Sequence, residues 1–143
     1  MCIQIIAPDR IITPEEFPES CPEKSMNCTM VGPEPYRGEG RTEIRFNSSM
    51  SEVIEEAKKW SEGELGTSIL GEWDNQLHVV FRTLIWKFPD DFIINLHCEN
   101  EVTVMNIYSK SRIGISDLGV NDDRVLDFTK HMTKVNLSQS KCT

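Results

Sequence analysis

Six of the seven prolines in this chain of 143 residues fall at positions 8, 14, 18, 22, 33 and 35, and only Pro89 lies later. Proline lacks an amide donor and fixes φ, so residues 8 to about 40 read as an extended or turning arm. Gly32, Gly38 and Gly40 reinforce that reading. Phe17, Met26, Met30 and Tyr36 supply apolar anchors that could hold the arm on a body. The pattern divides the chain into a Pro-rich arm over residues 1–41 and a single α+β domain over residues 42–143.

Regular structure is expected from Thr42. Ile44 and Phe46 alternate with Arg45 and Asn47, the mark of a short strand. Ser49 and Glu52 then have capping-box spacing, and Val53, Ile54, Ala57 and Trp60 recur at helical intervals while Glu55, Glu56, Lys58 and Lys59 face away. Gly63 and Gly66 end that helix. From Ser68 the period becomes two. Strands are expected over 68–73, 77–88, 92–98 and 102–109, with turns at Asp74-Asn75 and Glu99-Asn100-Glu101. In the long second strand Leu77, Val79 and Phe81 share one face, while His78, Val80, Arg82, Leu84 and Trp86 share the other, which asks for a bulge or burial on both sides. Pro89-Asp90-Asp91 is read as a break in the ladder. Ile113 to Gly119 forms a loop, Asn121 is the expected N-cap of a second helix, and Val125, Phe128, Met132 and Val135 form its buried stripe. An antiparallel meander with both helices packed on one face is the simplest packing of this order.

Composition narrows the function classes without selecting one. Hydrophobic residues make up 38% and charged residues 27%, as in ordinary folded domains. The net charge of −8 disfavours general binding to nucleic acid. It is unevenly spread: residues 1–101 carry −10 and residues 102–143 carry +2, so a small anion or an acidic partner is better placed at the C-terminal end. No apolar run approaches the ~20 residues of a transmembrane span. Met1 to Ala7 is too short for a signal-peptide core and lacks a basic start, so a cytoplasmic location is expected. The triplets beginning at Asn27, Asn47 and Asn136 fit the glycosylation acceptor pattern, which is short enough to arise by coincidence.

Cys2, Cys21, Cys28, Cys98 and Cys142 include no CxxC pair, so a zinc site is not indicated. Cys21 and Cys28 are the only close pair. A disulfide between them would close a small loop worth about 2.5 kcal/mol; in a reducing cytosol the same residues would be two free thiols.

The densest polar segment of the domain runs from Ser109 to Asn121. Hydroxyl and guanidinium donors from Ser109, Ser111 and Arg112, near a helix N-terminus, could hold a carboxylate or phosphate. The plainer alternative pairs Arg112 with Asp90, Asp91 or Asp117 and leaves Asn121 as a cap. The stretch Ser109-Lys110-Ser111-Arg112-Ile113-Gly114-Ile115-Ser116-Asp117-Leu118-Gly119-Val120-Asn121, followed by Arg124, closely resembles the SxSRxGxSDLGxNxxR signature of the Domain of Unknown Function 1499 family. Phe88 with Asp90-Asp91 resembles that family's FxDD element. Residues 21–28 resemble its CPxSPNC-type start, with Met26 in place of proline and without the serines that usually follow the second Cys. The resemblance spans about residues 21–132. It implies membership of a family found in bacteria and photosynthetic eukaryotes, often behind export or plastid leaders, with no established activity.

The resemblance groups Asp90, Asp91, Ser109, Ser111, Arg112, Asp117, Asn121 and Arg124 as candidate binding residues, with Asp90-Asp91 and Arg112 expected at one edge of the meander, two strands apart. Other constellations are weaker. His97 and Cys98 are adjacent on a strand and point to opposite faces, so they cannot form a dyad. His78 has no sequence-local partner, and His131 sits beside Lys130. There is no nucleophile-elbow pattern and no Gly-rich phosphate loop. The expected function is therefore a binding module for a small anionic or amphipathic ligand or a partner protein, without cofactor or metal. Two alternatives stand beside it. One is an enzyme acting on an anionic substrate, with Arg112 as clamp, Asp91 or Asp117 as base, and Ser109 or Ser111 positioning; the other is an assembly subunit whose motif only holds the fold.

Overall fold

The computed structural model describes residues 8–82, 88–114 and 116–142. Expectations for Met1–Ala7 with Cys2, for Leu84 and Trp86, and for Ile115 lie outside the described residues. The elements are β1 (Cys28–Val31), β2 (Ile44–Phe46), α1 (Met50–Glu62), β3 (Thr67–Trp73), β4 (Gln76–Arg82), β5 (Pro89–Glu99), β6 (Val102–Ser111) and α2 (Val120–Lys134). Single turns of 3-10 helix occur at Pro14–Glu16 and Gly38–Gly40.

The fold is α+β: two helices and a six-stranded antiparallel sheet. Strands β3 to β6 form the meander that period-two alternation predicts, and β6 also pairs along its other edge with β1 and β2. The arm thus contributes a strand. Cys28 to Val31 lie opposite Lys110 to Ile107, 76 or more residues further along the chain, and such a partner leaves no trace in local periodicity.

Pro89 does not break the ladder. It is the first residue of β5, opposite Arg82 of β4, and its carbonyl accepts from the Arg112 amide at 3.0 Å. A proline is tolerated there because a strand's first residue need not donate. Asp90 and Asp91 are consequently strand residues opposite Ser111 and Lys110, on directly adjacent strands and not two strands apart.

One face of the sheet carries Leu77, Val79, Phe81, Phe92, Ile94 and Leu96, packed under Val53 and Ala57 of α1 and Val125, Phe128 and Met132 of α2. Trp60 stacks edge-on to Phe128 at 5.0 Å. Ser49 caps α1, its hydroxyl accepting from the Glu52 amide; the Glu52 carboxylate turns outward to accept from the Ser138 amide instead of closing a capping box. Val135 ends α2 as its C-cap and is only half-buried.

The arm covers the opposite face. Ile12, Phe17, Cys21 and Tyr36 pack on Cys28, Met30, Ile93 and Tyr108, so β4 is buried on both sides. The bulge lies in β3, between Ile69 and Gly71, opposite β4. Met26 is not an anchor: its side chain is 57% exposed, and only its backbone bridges to Ser116.

Two disulfides fasten the ends, Cys21–Cys28 within the arm and Cys98–Cys142 between the end of β5 and the C-terminal tail. The second was not anticipated. Asn27 is buried and donates its amide to the Gly114 carbonyl, whereas Asn47 and Asn136 are exposed. No helix among the described residues is long and apolar enough to cross a membrane.

Candidate functional site

Side chains alternate along a strand, so the two adjacent aspartates of β5 enter different layers. Asp90 points into the helix layer and accepts from Arg124 of α2 at 2.9 Å. Arg124 also donates to Asn121 Oδ1 at 2.9 Å and lies 4.3 Å over the Phe81 ring. Asn121 is fully buried and joins four segments. Its Oδ1 accepts from the Ser109 hydroxyl at 2.6 Å, and its Nδ2 donates to the Ser111 hydroxyl, the Asn27 carbonyl and Asp117.

Asn121 is therefore not the N-cap. Gly119 holds that position in the left-handed region at φ 84°, with α2 beginning at Val120. Capping passes to Asp117, whose carboxylate accepts from the Gly119 and Asn121 amides at 2.8 and 3.1 Å. Arg37, from the arm, completes the set with two bonds to Asp117 at 3.3 and 3.0 Å and one from its Nε to the Cys28 carbonyl. Burial opposes ionisation of Asp117, but Arg37, Asn121 and the two backbone amides outweigh it and hold the carboxyl down to about 2. A carboxylate bonded in this way is a poor base at neutral pH.

On the arm side Asp91 accepts a bidentate pair from Arg112, at 2.9 and 2.8 Å, and a bond from His78 at 2.7 Å. His78 is fully buried. The Ile12 amide donates to its Nδ1 at 3.2 Å, so Nε2 carries the proton that Asp91 accepts. Gln76 donates to the Ile12 carbonyl, and Asp9 pairs with Arg112, so four side chains strap the arm down. Burial raises the Asp91 carboxyl, and the His78 and Arg112 bonds more than reverse that, leaving it below its ordinary value. Tyr108, buried nearby, is pushed up to about 12 by burial and by the Asp91 charge.

The eight residues grouped from the sequence therefore form two clusters separated by the sheet. Asp90, Ser109, Ser111, Asn121, Arg124 and Asp117 brace α2 and its leading loop, while Asp91 and Arg112 belong to the arm layer. Arg37, His78 and Asp9 complete these clusters and were missed. Arg37 carried no signal amid turn residues, and the partner of His78 sits two residues off register on the next strand.

Beside Arg124 a cleft of about 370 Å³ opens between the end of α1, β4 and the start of α2. Trp60, Phe81, Leu65 and Val120 give it apolar surface, and Glu64, Asp123 and Asp127 lie around it. No group of three or more His, Cys, Asp or Glu side chains among the described residues is arranged to hold a metal ion.

Comparison with curated proteins finds no match. Among solved structures the chain is similar to the crystal structure of CalU16 from Micromonospora echinospora, at 15% identity over 64% of this chain and 73% of that one, with a TM-score of 0.45. The model of the family described as "Protein of unknown function (DUF1499)" matches residues 13–132.

Proposed function

The chain belongs to the DUF1499 family, and from that premise we propose that it is a non-catalytic binding module taking an amphipathic ligand or partner in the cleft beside Arg124. One observation carries the reading: a cleft of ligand size, with exposed Leu65 and Val120 and partly buried Trp60 on its walls and Arg124 stacked over Phe81 at its base, opens next to the most heavily braced part of the family signature. In this role Asp90, Ser109, Ser111 and Asn121 hold Arg124 and the first turn of α2. Asp91, Arg112 and Asp117 fix the loop and the arm.

The geometry favours an amphipathic occupant over an anionic one, since Arg112 and Arg124 are each already bonded to a carboxylate. The same pairing weighs against an enzyme that clamps an anionic substrate with Arg112. Two disulfides favour an oxidising compartment over the cytosol; thiol alkylation of freshly isolated protein, with and without reduction, tests that directly.

Titration with the neutral dye Nile red tests the cleft. Saturable fluorescence enhancement is expected in the native chain, with loss in Leu65→Glu and Val120→Asp, two exposed positions whose substitution leaves the core intact. Equal enhancement in variants with unchanged thermal midpoints would remove the cleft from consideration. A second reading, that the signature serves only the fold, has its own support in the five donors gathered by Asp117. Under it, signature variants lose stability in proportion to any loss of dye binding.

A further inference from the structure

We propose that the occupant of the cleft is a polypeptide segment carrying Lys or Arg beside large apolar side chains; the inference rests on the binding-module reading and specifies its partner. A further exposed apolar side chain stands two residues before the cleft-lining Val120 in the sequence. Leu118 is 92% exposed and Leu65 76%, and Val120, two residues from Leu118, is 38% exposed on the cleft wall. Leu118 also sits at φ 54°, a region that disfavours side chains other than glycine. It is held there by its own amide bond to the Ser116 hydroxyl and by the Asp117 bonds to Gly119 and Asn121. The fold thus fixes a leucine pointing into solvent, a position that serves contact with another molecule better than it serves the core.

Charge selects the partner. The side-chain carboxylates of Glu64 on one wall and of Asp123 and Asp127 on the other form no ion pair or hydrogen bond among the described residues; the hydrogen bonds of these residues are made by their backbone groups. Of the two cations of the cleft, Arg124 is held by Asp90 in a buried pair, and Arg82, half-exposed, lies 3.7 Å from Asp9, leaving three carboxylates against one loosely held guanidinium. The cleft therefore presents net negative charge around apolar walls of Trp60, Leu65 and Val120, which suits a basic side chain flanked by apolar ones. A second copy of this chain is disfavoured, because a two-fold contact would set these carboxylates against their own equivalents on a protein of net charge −8. Anionic lipid surfaces are disfavoured for the same reason. A small molecule filling the cavity would leave Leu118 uncovered.

The test is selection of phage-displayed random 12-residue peptides on the immobilised full chain, followed by titration of synthetic labelled winners. Enrichment of Lys or Arg next to Leu, Ile, Phe or Trp is expected, with affinity reduced at least tenfold in Leu118→Ser and in the combined Glu64→Gln, Asp123→Asn, Asp127→Asn variant, and weakened by salt. All four positions are surface residues, and unchanged thermal midpoints confirm folding. Enrichment without basic residues, or affinity indifferent to the neutralised variant, overturns the proposal. So does a concentration-dependent dimer abolished by Leu118→Ser. Failure to select any peptide while Nile red still binds overturns the partner class and leaves the binding module standing; loss of both signals overturns both.

Discussion

Asp90 and Asp91, joined by one peptide bond, anchor different layers of the molecule: Asp90 holds Arg124 of α2 on the helix side, and Asp91 holds Arg112 and His78 beneath the arm. A central strand passing two buried charges to opposite faces ties both layers to the same backbone. Each carboxylate is half of a pair that is nine-tenths or more removed from solvent on its guanidinium side. Removing one partner of such a pair strands the other charge, at a cost of about 3–5 kcal/mol.

Double-mutant cycles should separate the layers. Asp90→Ala and Arg124→Ala are expected to couple by about 1–3 kcal/mol in urea unfolding, whereas Asp91→Ala and Arg124→Ala should be additive within about 0.5 kcal/mol. Equal coupling in the two cycles would mean that the aspartates share one network.

Acid should loosen the loop before α2. Asp117 is held at about 2 in the folded chain against 3.8 ordinarily. Its contribution is therefore complete above the unfolded value and lost as pH falls through the folded one, between about pH 4 and pH 2. The shift corresponds to about 2 kcal/mol. Urea midpoints measured from pH 6 to pH 2 should fall more gently in Asp117→Asn than in the native chain, from a lower starting stability.

Glycine is required at position 66 and not at 63. A Cβ on Gly66, at φ 75°, would lie 2.4 Å from the Arg82 carbonyl oxygen, while one on Gly63 would meet nothing closer than 3.5 Å. Gly66→Ala should destabilise by about 1–3 kcal/mol, and Gly63→Ala by less than about 0.5 kcal/mol or not at all. Thermal or urea unfolding of the two variants checks the contrast.

The two disulfides should differ in weight. The sequence separations are 7 for Cys21–Cys28 and 44 for Cys98–Cys142. Chain entropy then gives about 2.5 and about 4 kcal/mol. Unfolding of the Cys21→Ala/Cys28→Ala and Cys98→Ala/Cys142→Ala pairs should show the larger loss in the second.

The parts of the fold visible in the sequence are those fixed by neighbours within a turn or two. The Ser49 cap (though without the reciprocal Glu52 bond), the Val53–Trp60 stripe and the alternation from Phe92 to Leu96 all became the expected elements. What stayed hidden depends on residues far apart in the chain. β1 has no periodicity of its own and exists because β6 offers it an edge. Cys142 gave no spacing clue to Cys98, and Arg37 reached Asp117 across 80 residues. Asn121 has the chemistry of a cap, but it was drawn inward once Asp117 took the amides and the buried serines needed a partner.

The position of β6 also sets an order of events during synthesis. Both β1 and β2 find their sheet partners only between Thr103 and Lys110, so the first third of the chain leaves the ribosome with little to pair with beyond the local Met30–Tyr36 bridge. Until that strand has emerged, the arm's apolar residues and the open edges of β1 and β2 remain available to chaperones or to neighbouring nascent chains. Within that interval the Cys21–Cys28 bond can already close, since it needs only its own short loop, while Cys98–Cys142 must wait until residue 142 is made.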